Sequence, residues 1–432
     1  MSSDRHILYD IAVIGGGASG MAAALSAKDH LDDLGYNQAK IAIFERNDRV
    51  GKKILLTGNG RCNFTNLSTD HFHYHGENAR FAKGALSRFS PENVMRYFEK
   101  LGVSFVVEES EKVYPMSLHA SAVLDSLRFA IEEKKISLHS SSYVIGITKK
   151  DKSFRLKMSD GLTFDASNVI VACGGSCAPS TGSDGTGYAL LQKFQHKLIT
   201  PLPAIVQLKA HTLFCKPLAG NKFRGEATLH IDNAYIRKEN GEILFTEYGL
   251  SGPPILQLSG YISRALHECP KAVCSIYLDF MPAYSLEVLL AMLLIRRELF
   301  GQREIDDFMT GLVHKRLAMG IIRFSLPKKH VRSVSELSDL DITHFANNMK
   351  NLEIRVSGTL GFSSAQTTAG GISTQDFNPS TMESKLCADL YACGEVLDID
   401  GDCGGYNLQW AWASGMLAGI SSAKRVWEHL HG

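Results

Sequence analysis

A strand, a glycine turn and a helix follow one another in 9-YDIAVIGGGASGMAAALSAKD-29, and this order decides the fold class. Ile11–Ile14 is an apolar run of the kind buried in a parallel strand. Gly15-x-Gly17-x-x-Gly20 follows, and Ala22, Ala23, Ala24, Leu25 and Ala27 then favour a closely packed helix. The first glycine permits the tight turn, the second lets backbone approach a pyrophosphate, and the third lets helix pack on strand. The anion then rests on the helix N-terminus, where free N–H groups and the dipole favour negative charge. A second buried strand, 40-KIAIFER-46, completes a βαβ unit of a parallel α/β sheet.

That second strand ends in Glu45, placed to accept hydrogen bonds from a ribose diol. An acidic residue there favours a 2′-hydroxyl, as in FAD or NAD. Arg46 is open between adenine, phosphate and solvent.

The chain has 432 residues, enough for two or three domains. It is 44% hydrophobic and 21% charged, with a formal net charge of +1. Such a balance lacks the basic bias of a nucleic-acid or membrane partner, so neither is expected. The longest apolar run, 288-VLLAMLLI-295, falls far short of the ~20 residues that span a bilayer. MSSDRHILYDIAVIGGG carries no apolar secretory core, and a cytoplasmic location is expected. The nine cysteines form no CxxC pair, the closest spacings being Cys173/Cys177 and Cys269/Cys274. Reduced thiols and no metal site are expected.

Further along, 91-PENVMRYFEKLG-102 reads as a helix opened by proline and closed by glycine. A strand at 103-VSFVVEE-109 and an amphipathic helix from Leu118 to Lys134 follow. Short strands come next at 142-SYVIGITKK-150, 153-SFRLKMS-159 and 169-VIVACGG-175. The prolines of 200-TPLPAIVQL-208 mark a change of texture, with strands beyond them at 226-EATLHID-232 and 242-EILFTEY-248. Residues 285–320 read as helical, with Leu286, Leu289, Leu290, Leu293 and Leu294 on one face. The last part again reads as strand, glycine loop and long helix. The expected architecture is α/β: a Rossmann-like domain built from both chain ends, 1–200 and 353–432. Between them lies an inserted β-rich, barrel-like domain at 201–352, with a helical subdomain at about 283–345.

Glycine-rich segments far from the first turn favour FAD over NAD. They are 57-TGNGRCNFTN-66, 173-CGGSCAPSTGSDGTGY-188, 366-QTTAGG-371 and 394-GEVLDIDGDCGGYNLQWAWASG-415. FAD is long, and its flavin end must be gripped by segments remote from the adenine end. A helix beginning near Tyr406–Asn407, after Gly404–Gly405, would stabilise negative charge at the flavin N1/O2 edge.

Six separated blocks occur in the order of a known family: GKKILLTGNGRCNFTN, VIVACGGSCAPSTGSDGTGY, GEILFTEYGLSGPPIL, AQTTAGGIS, TMESKL and LYACGEVLDIDGDCGGYNLQWAWASG. The chain resembles the BaiN/YhiN-type family of NAD(P)/FAD-dependent oxidoreductases, which includes aminoacetone oxidase-like flavoproteins and bile-acid enone reductases. The resemblance spans nearly the whole chain. It implies FAD contacts at Gly15–Gly20 (Gly15, Gly17, Ala18, Ser19 and Gly20 among them), Glu45, Arg61, Cys62 and Asn63. It extends them to Gly174, Gly175, Gly394, Glu395, Gly405, Tyr406, Asn407 and Leu408, with backbone near Val144 at the adenine. Arg46, Gly51, Thr57, Ala172, Thr368 and Gly370 complete the candidates, and Thr367 joins Thr368 and Gly370 as candidates to line the ring. The chain departs from the family at Ser176-Cys177-Ala178-Pro179 and at Thr186, which bears on substrate identity rather than on FAD.

Cys62 beside Arg61 invites a thiolate, but it has no partner cysteine in its loop and is expected to pack. CxxxC at Cys173/Cys177 is no redox spacing. Trp410 and Trp412 face different sides of a helix, so at least one belongs to the core. Alternation puts His71, His73 and His75 on one face of a strand. With no cysteine or carboxylate ligand nearby, a solvated or lid-like loop is expected rather than zinc. The run 327-PKKHVR-332 reads as a solvated face.

There is no second GxGxxG, so NAD(P)H would bind only transiently, over the flavin in an interdomain cleft. The leading expectation is an FAD-dependent oxidoreductase that passes a hydride between NAD(P)H, flavin and a small or mid-sized organic substrate, such as an enone. One alternative is an oxidase that takes hydride from an aminoacetone-type amine and passes electrons to O2. Another is a flavin-bound, RNA-associated protein. No general acid or base stands out, and oligomeric state is not legible.

Overall fold

Parallel strands buried on both faces need apolar residues at nearly every position, and the first strands have them. The computed structural model describes residues 8–108, 111–210, 212–326 and 330–431, apart from the side chains of His71, Thr212 and Leu213. The segment 1–7, Glu109 of the strand expected at 103–109 and Pro327–Lys329 of the 327–332 run lie outside the described residues.

Strand β1 (Leu8–Ile14) leads through a glycine turn into α1 (Ala18–Asp33) and then β2 (Ile41–Phe44). The sheet grows with β3 (Ser137–His139), β4 (Val144–Lys150), β5 (Ser153–Met158) and β6 (Thr163–Val171). Its order is β3-β2-β1-β6-β5-β4. The β1, β2, β3 and β6 pairings are parallel, and β4 and β5 form an antiparallel edge. Register sets Ile14 beside both Phe44 and Val171, so the carboxyl ends of the central strands lie level. In an open α/β sheet that edge is where ligands bind.

The chain divides into two compact units, one of residues 1–202 with 366–432 and the other of residues 203–365. The second unit holds a closed antiparallel barrel. Its strands are β7 (Leu208–Ala210), β8 (Lys222–Ile231), β9 (Ala234–Thr246), β10 (Gly249–Ser251), β11 (Cys274–Asp279) and β12 (Leu352–Thr359), in the order β7-β10-β9-β8-β11-β12. The strands expected at 226–232 and 242–248 are parts of the longer hairpin β8–β9. Asp232 and Asn233 turn it with φ of 51° and 67°, the positive pair of a tight hairpin turn. In β12, Leu352, Ile354 and Val356 point inward while their neighbours are exposed, the two-residue period of a half-buried strand. The return expected at 353 therefore falls inside this unit, because β12 closes the barrel against β7.

Helix α2 (Pro253–Glu268) buries Ile255, Leu258 and Ile262. The single helical stretch expected over 285–320 is two helices, α3 (Leu286–Phe300) and α4 (Lys315–Ser325); α5 (Asp339–Lys350) follows. Ser285 caps α3 through the Val288 N–H, which leaves Leu286 exposed at the first turn while Leu289 and Leu293 are buried.

The chain returns through β13 (Leu390–Ala392), parallel to β6, and ends in α6 (Tyr406–His431). Helices α1 and α6 touch backbone to backbone: a Cβ at Gly415 would strike the Ser19 carbonyl, and one at Gly419 the Ala23 carbonyl. Both tryptophans of α6 are buried, which meets the expectation that at least one is core, because the helix is enclosed on both sides. Trp410 Nε1 donates to Gly394 O at 3.1 Å and Trp412 Nε1 to Phe64 O at 3.2 Å.

Candidate functional site

The three glycines of the first turn meet different surroundings. Gly15, at φ +108°, lies against the Ala172 carbonyl, where a side chain would not fit. A Cβ at Gly20 would run into Gly15 O, so this residue sets the closeness of helix and strand. A Cβ at Gly17 would meet nothing within 4 Å. Gly17 is also the N-cap of α1, and no side chain caps it. The orphan N–H groups of the first turn thus face open space at the positive end of a helix dipole, as a pyrophosphate requires.

A cleft runs from this point in both directions. Its lining includes Phe44, Glu45, Arg46, Tyr143 and Val144; Gly15–Ser19, Gly174 and Glu395; and Thr57, Gln366, Thr367, Asn407 and Leu408. Counting its open mouth, it holds about 1250 Å³ free of protein atoms.

Glu45 is buried in this lining. Its Oε2 accepts from the Gly16 N–H, and its Oε1 from the N–H and Nδ2 of Asn47, each at 2.8 Å. These bonds fix the carboxylate, and Oε2, which accepts only one of them, retains a lone pair for a hydroxyl. Arg46 lines the cleft with its charge engaged by protein, which does not choose among adenine, phosphate and solvent. Its Nη1 donates to Asp184 at 2.7 Å and Thr186 at 3.1 Å, with the guanidinium 4.9 Å from the Tyr143 ring centre. Burial works against the Asp184 carboxylate, but the bonds from Thr186 and Arg46 outweigh it and hold its pKa below the usual value.

The loop after β2 departs from expectation. Thr57 and Gly51 line the cleft; Arg61, Cys62 and Asn63 do not. Arg61 donates to Glu108 at 2.9 Å and lies 4.3 Å from the Tyr114 ring centre, so its charge is engaged outside the cleft. Cys62 is fully buried in a left-handed conformation, φ 61°, held by its N–H to Thr57 O. Burial pushes its thiol up to about 12, which removes it as a thiolate at neutral pH. Asn63 Oδ1 is buried without a hydrogen-bond partner among the described residues, beside Gly405.

Several other expected residues shape the walls from behind. Thr368 Oγ1 accepts the Ser176 N–H at 2.8 Å and the Cys177 N–H at 3.2 Å, which staples the 174–177 loop; Gly175 packs on the same threonine. Gly370 fits against Thr200 O at φ +85°, and Gly394 against the Ser19 side chain. Gly405 lets α6 begin close to Thr65, and Tyr406 is buried. Gly20, Gly175, Thr368, Gly370, Gly394, Gly405 and Tyr406 therefore position the lining rather than form it. Ala172, Ala18, Ser19, Asn407 and Leu408 line it as expected.

Sequence reasoning passed over Lys53. Its Nζ lies 2.6 Å from Glu395 Oε2 inside the cleft, while Glu395 Oε1 accepts the Thr368 N–H at 2.7 Å. A lysine in a glycine-bounded loop directly after β2 was the available signal. The histidines of 71-HFHYH-75 also acquire a partner the sequence had hidden: His73 and His75 both bond to Asp402.

The HI0933-like protein Rossmann domain family matches residues 9–421. The chain belongs to this family. It is an FAD-dependent oxidoreductase, and the uncapped α1 terminus, the fixed Glu45 and the open Gly17 suit that cofactor. A 3-dehydro-bile acid delta(4,6)-reductase of Clostridium scindens is 35% identical, covering 96% of this chain and 99% of the relative. A ribosomal RNA dihydrouridine synthase of Escherichia coli is 28% identical, covering 94% of this chain and 96% of the relative. Among solved structures, a 3-ketosteroid-delta4-(5alpha)-dehydrogenase from Rhodococcus jostii RHA1 aligns over 98% of both chains at TM-score 0.49 and 12% identity. No helix among the described residues is long and apolar enough to cross a membrane.

Proposed function

We propose that this protein reduces a carbon–carbon double bond conjugated to a carbonyl, with NAD(P)H as a transient hydride donor. The observation that carries this is the near full-length relative named as a bile-acid reductase at 35% identity. The bound flavin supplies the hydride chemistry. The α1 terminus would hold its pyrophosphate, Glu45 its ribose, and the Asn407–Leu408 start of α6 its ring end. Lys53 and Glu395, paired in the same lining, would contact it as well.

A second substrate class has its own support. The 28% identical relative is named for making dihydrouridine, and uridine also carries a double bond conjugated to a carbonyl. A net charge of +1 does not decide against RNA, because local patches rather than bulk charge bind phosphates. The greater identity of the bile-acid reductase favours a small molecule.

Anaerobic stopped-flow mixing with NADH, NADPH and a panel of amines identifies the donor by loss of the oxidised-flavin absorbance. The reduced protein is then mixed with 4-androstene-3,17-dione, a 3-oxo-4-ene steroid, or with a uridine-containing RNA hairpin. Bleaching by a nicotinamide and reoxidation by the steroid are expected. Bleaching by amines alone, with peroxide released in air, would replace the reductase with an oxidase; reoxidation by RNA alone would replace the substrate class.

A further inference from the structure

A cofactor stays in a cleft as long as the walls beside it stay together, so bonds that join one wall to another set how long it is held. Two lining segments far apart in the chain meet beside Glu45. One is the end of β2 and the residues after it, Glu45–Asn47. The other is the glycine-rich stretch that contributes Thr181, Gly182, Ser183, Thr186 and Gly187 to the same lining. The base of that stretch is fixed separately. Thr368 Oγ1 accepts the Ser176 and Cys177 N–H groups, and Ser183 Oγ donates to Gly175 O at 3.0 Å.

Two sets of contacts carry the far part of the stretch onto β2. Arg46 Nη1 donates to Asp184 Oδ2 at 2.7 Å and to Thr186 Oγ1 at 3.1 Å, across 138 positions of chain for the first. Asp184 Oδ1 accepts the Thr186 hydroxyl at 2.6 Å and the Thr186 N–H at 3.1 Å, so both carboxylate oxygens are used. Asn47 Nδ2 donates to Thr181 O at 2.9 Å and to Glu45 Oε1 at 2.8 Å, which ties the stretch to the buried carboxylate itself. Gly182, at φ +97°, comes so close to this amide that a Cβ would strike Asn47 Nδ2. The Arg46 and Asp184 side chains are 33% and 26% exposed, shielded enough to attract and open enough for salt to reach them.

We propose that Asp184 is a positioning residue for the cofactor: acting through Arg46, it fastens residues 181–187 to the end of β2 and sets how slowly FAD leaves the cleft. Arg46 then directs its charge to the protein rather than to a cofactor phosphate. Asn47 completes the fastening, because one amide holds both Thr181 and the Glu45 carboxylate. An Arg46 that served the FAD phosphates would give the opposite sign. Removing the Asp184 charge would then free the arginine and tighten FAD. The proposal needs only that FAD occupies this cleft, and it is independent of the substrate that the flavin meets.

The test dilutes FAD-loaded wild type, Asp184→Asn and Asp184→Glu far below the FAD dissociation constant and follows release by flavin fluorescence, at low and at high sodium chloride. Asp184→Asn removes the charge and keeps the shape. It should release FAD roughly three- to tenfold faster than wild type at low salt. Salt should speed release from wild type and barely alter release from Asp184→Asn. Asp184→Glu keeps the charge and should stay nearer to wild type in both rate and salt response. If Asp184→Asn lowers the melting temperature of the apo-protein, Thr186→Val repeats the comparison. It removes only the hydroxyl between Arg46 and Asp184, and it should also speed release. Release at the wild-type rate would overturn the proposal, as would an equal salt response in wild type and Asp184→Asn. Slower release would overturn it as well and assign Arg46 to the cofactor phosphates.

Discussion

Lys53 and Glu395 stand 342 positions apart in the chain and form a 2.6 Å ion pair in the cleft lining. The pair ties the loop after β2 to the turn after β13. Both side chains are largely shielded, so their attraction is less screened than that of a surface pair. Lys53→Met leaves Glu395 with only the Thr368 N–H and should weaken FAD binding by about tenfold, or roughly 1.4 kcal/mol. Titration of apo-protein with FAD measures this directly. Unchanged affinity would mean that the pair serves the fold alone.

Two glycines separate binding from folding. A side chain at Gly17 meets open space, so Gly17→Val should leave the apo-protein melting near the wild-type temperature while FAD binding falls at least tenfold. Gly415→Val drives atoms into the Ser19 carbonyl and should cost about 3 kcal/mol or more through overpacking between α1 and α6. Thermal melts of apo-protein, paired with flavin titration, distinguish the two.

Cys62 is a packing residue. Cys62→Ala should retain flavin and most donor-driven flavin reduction, with a stability loss of about 1 kcal/mol from the small cavity. Loss of turnover with FAD still bound would restore the thiol as a chemical participant.

Acid sensitivity should centre partly on Asp389. Burial opposes its ionisation, but Lys149 at 2.9 Å and Arg425 at 3.1 Å outweigh it and lower the carboxyl pKa in the folded state. A lowered folded pKa means stability that is fully present above the unfolded value of about 4 and is lost as pH falls through the folded pKa. Asp389→Asn should therefore cost about 2 kcal/mol at neutral pH and flatten the loss of stability below about pH 4. Urea unfolding at pH 7 and pH 3.5 reads both effects.

What the sequence determined by itself is what neighbouring residues dictate to one another. A glycine where backbone must turn or approach, an apolar run that suits a parallel strand, and an acidic residue at the end of β2 all act within a few positions. The βαβ start, the barrel-like insertion and the FAD family were legible for that reason. The partners of long polar side chains were not. Arg61 was expected at the cofactor from the family resemblance, yet β-strand pairing brings Tyr114 and Glu108 to it. The histidines at 73 and 75 looked unsupported because their carboxylate comes from residue 402. Lys53 was unremarkable until Glu395 stood opposite it. Charge and hydrogen-bond partners are selected by distance in space, and only the folded chain brings residues so far apart in sequence to within 3 Å.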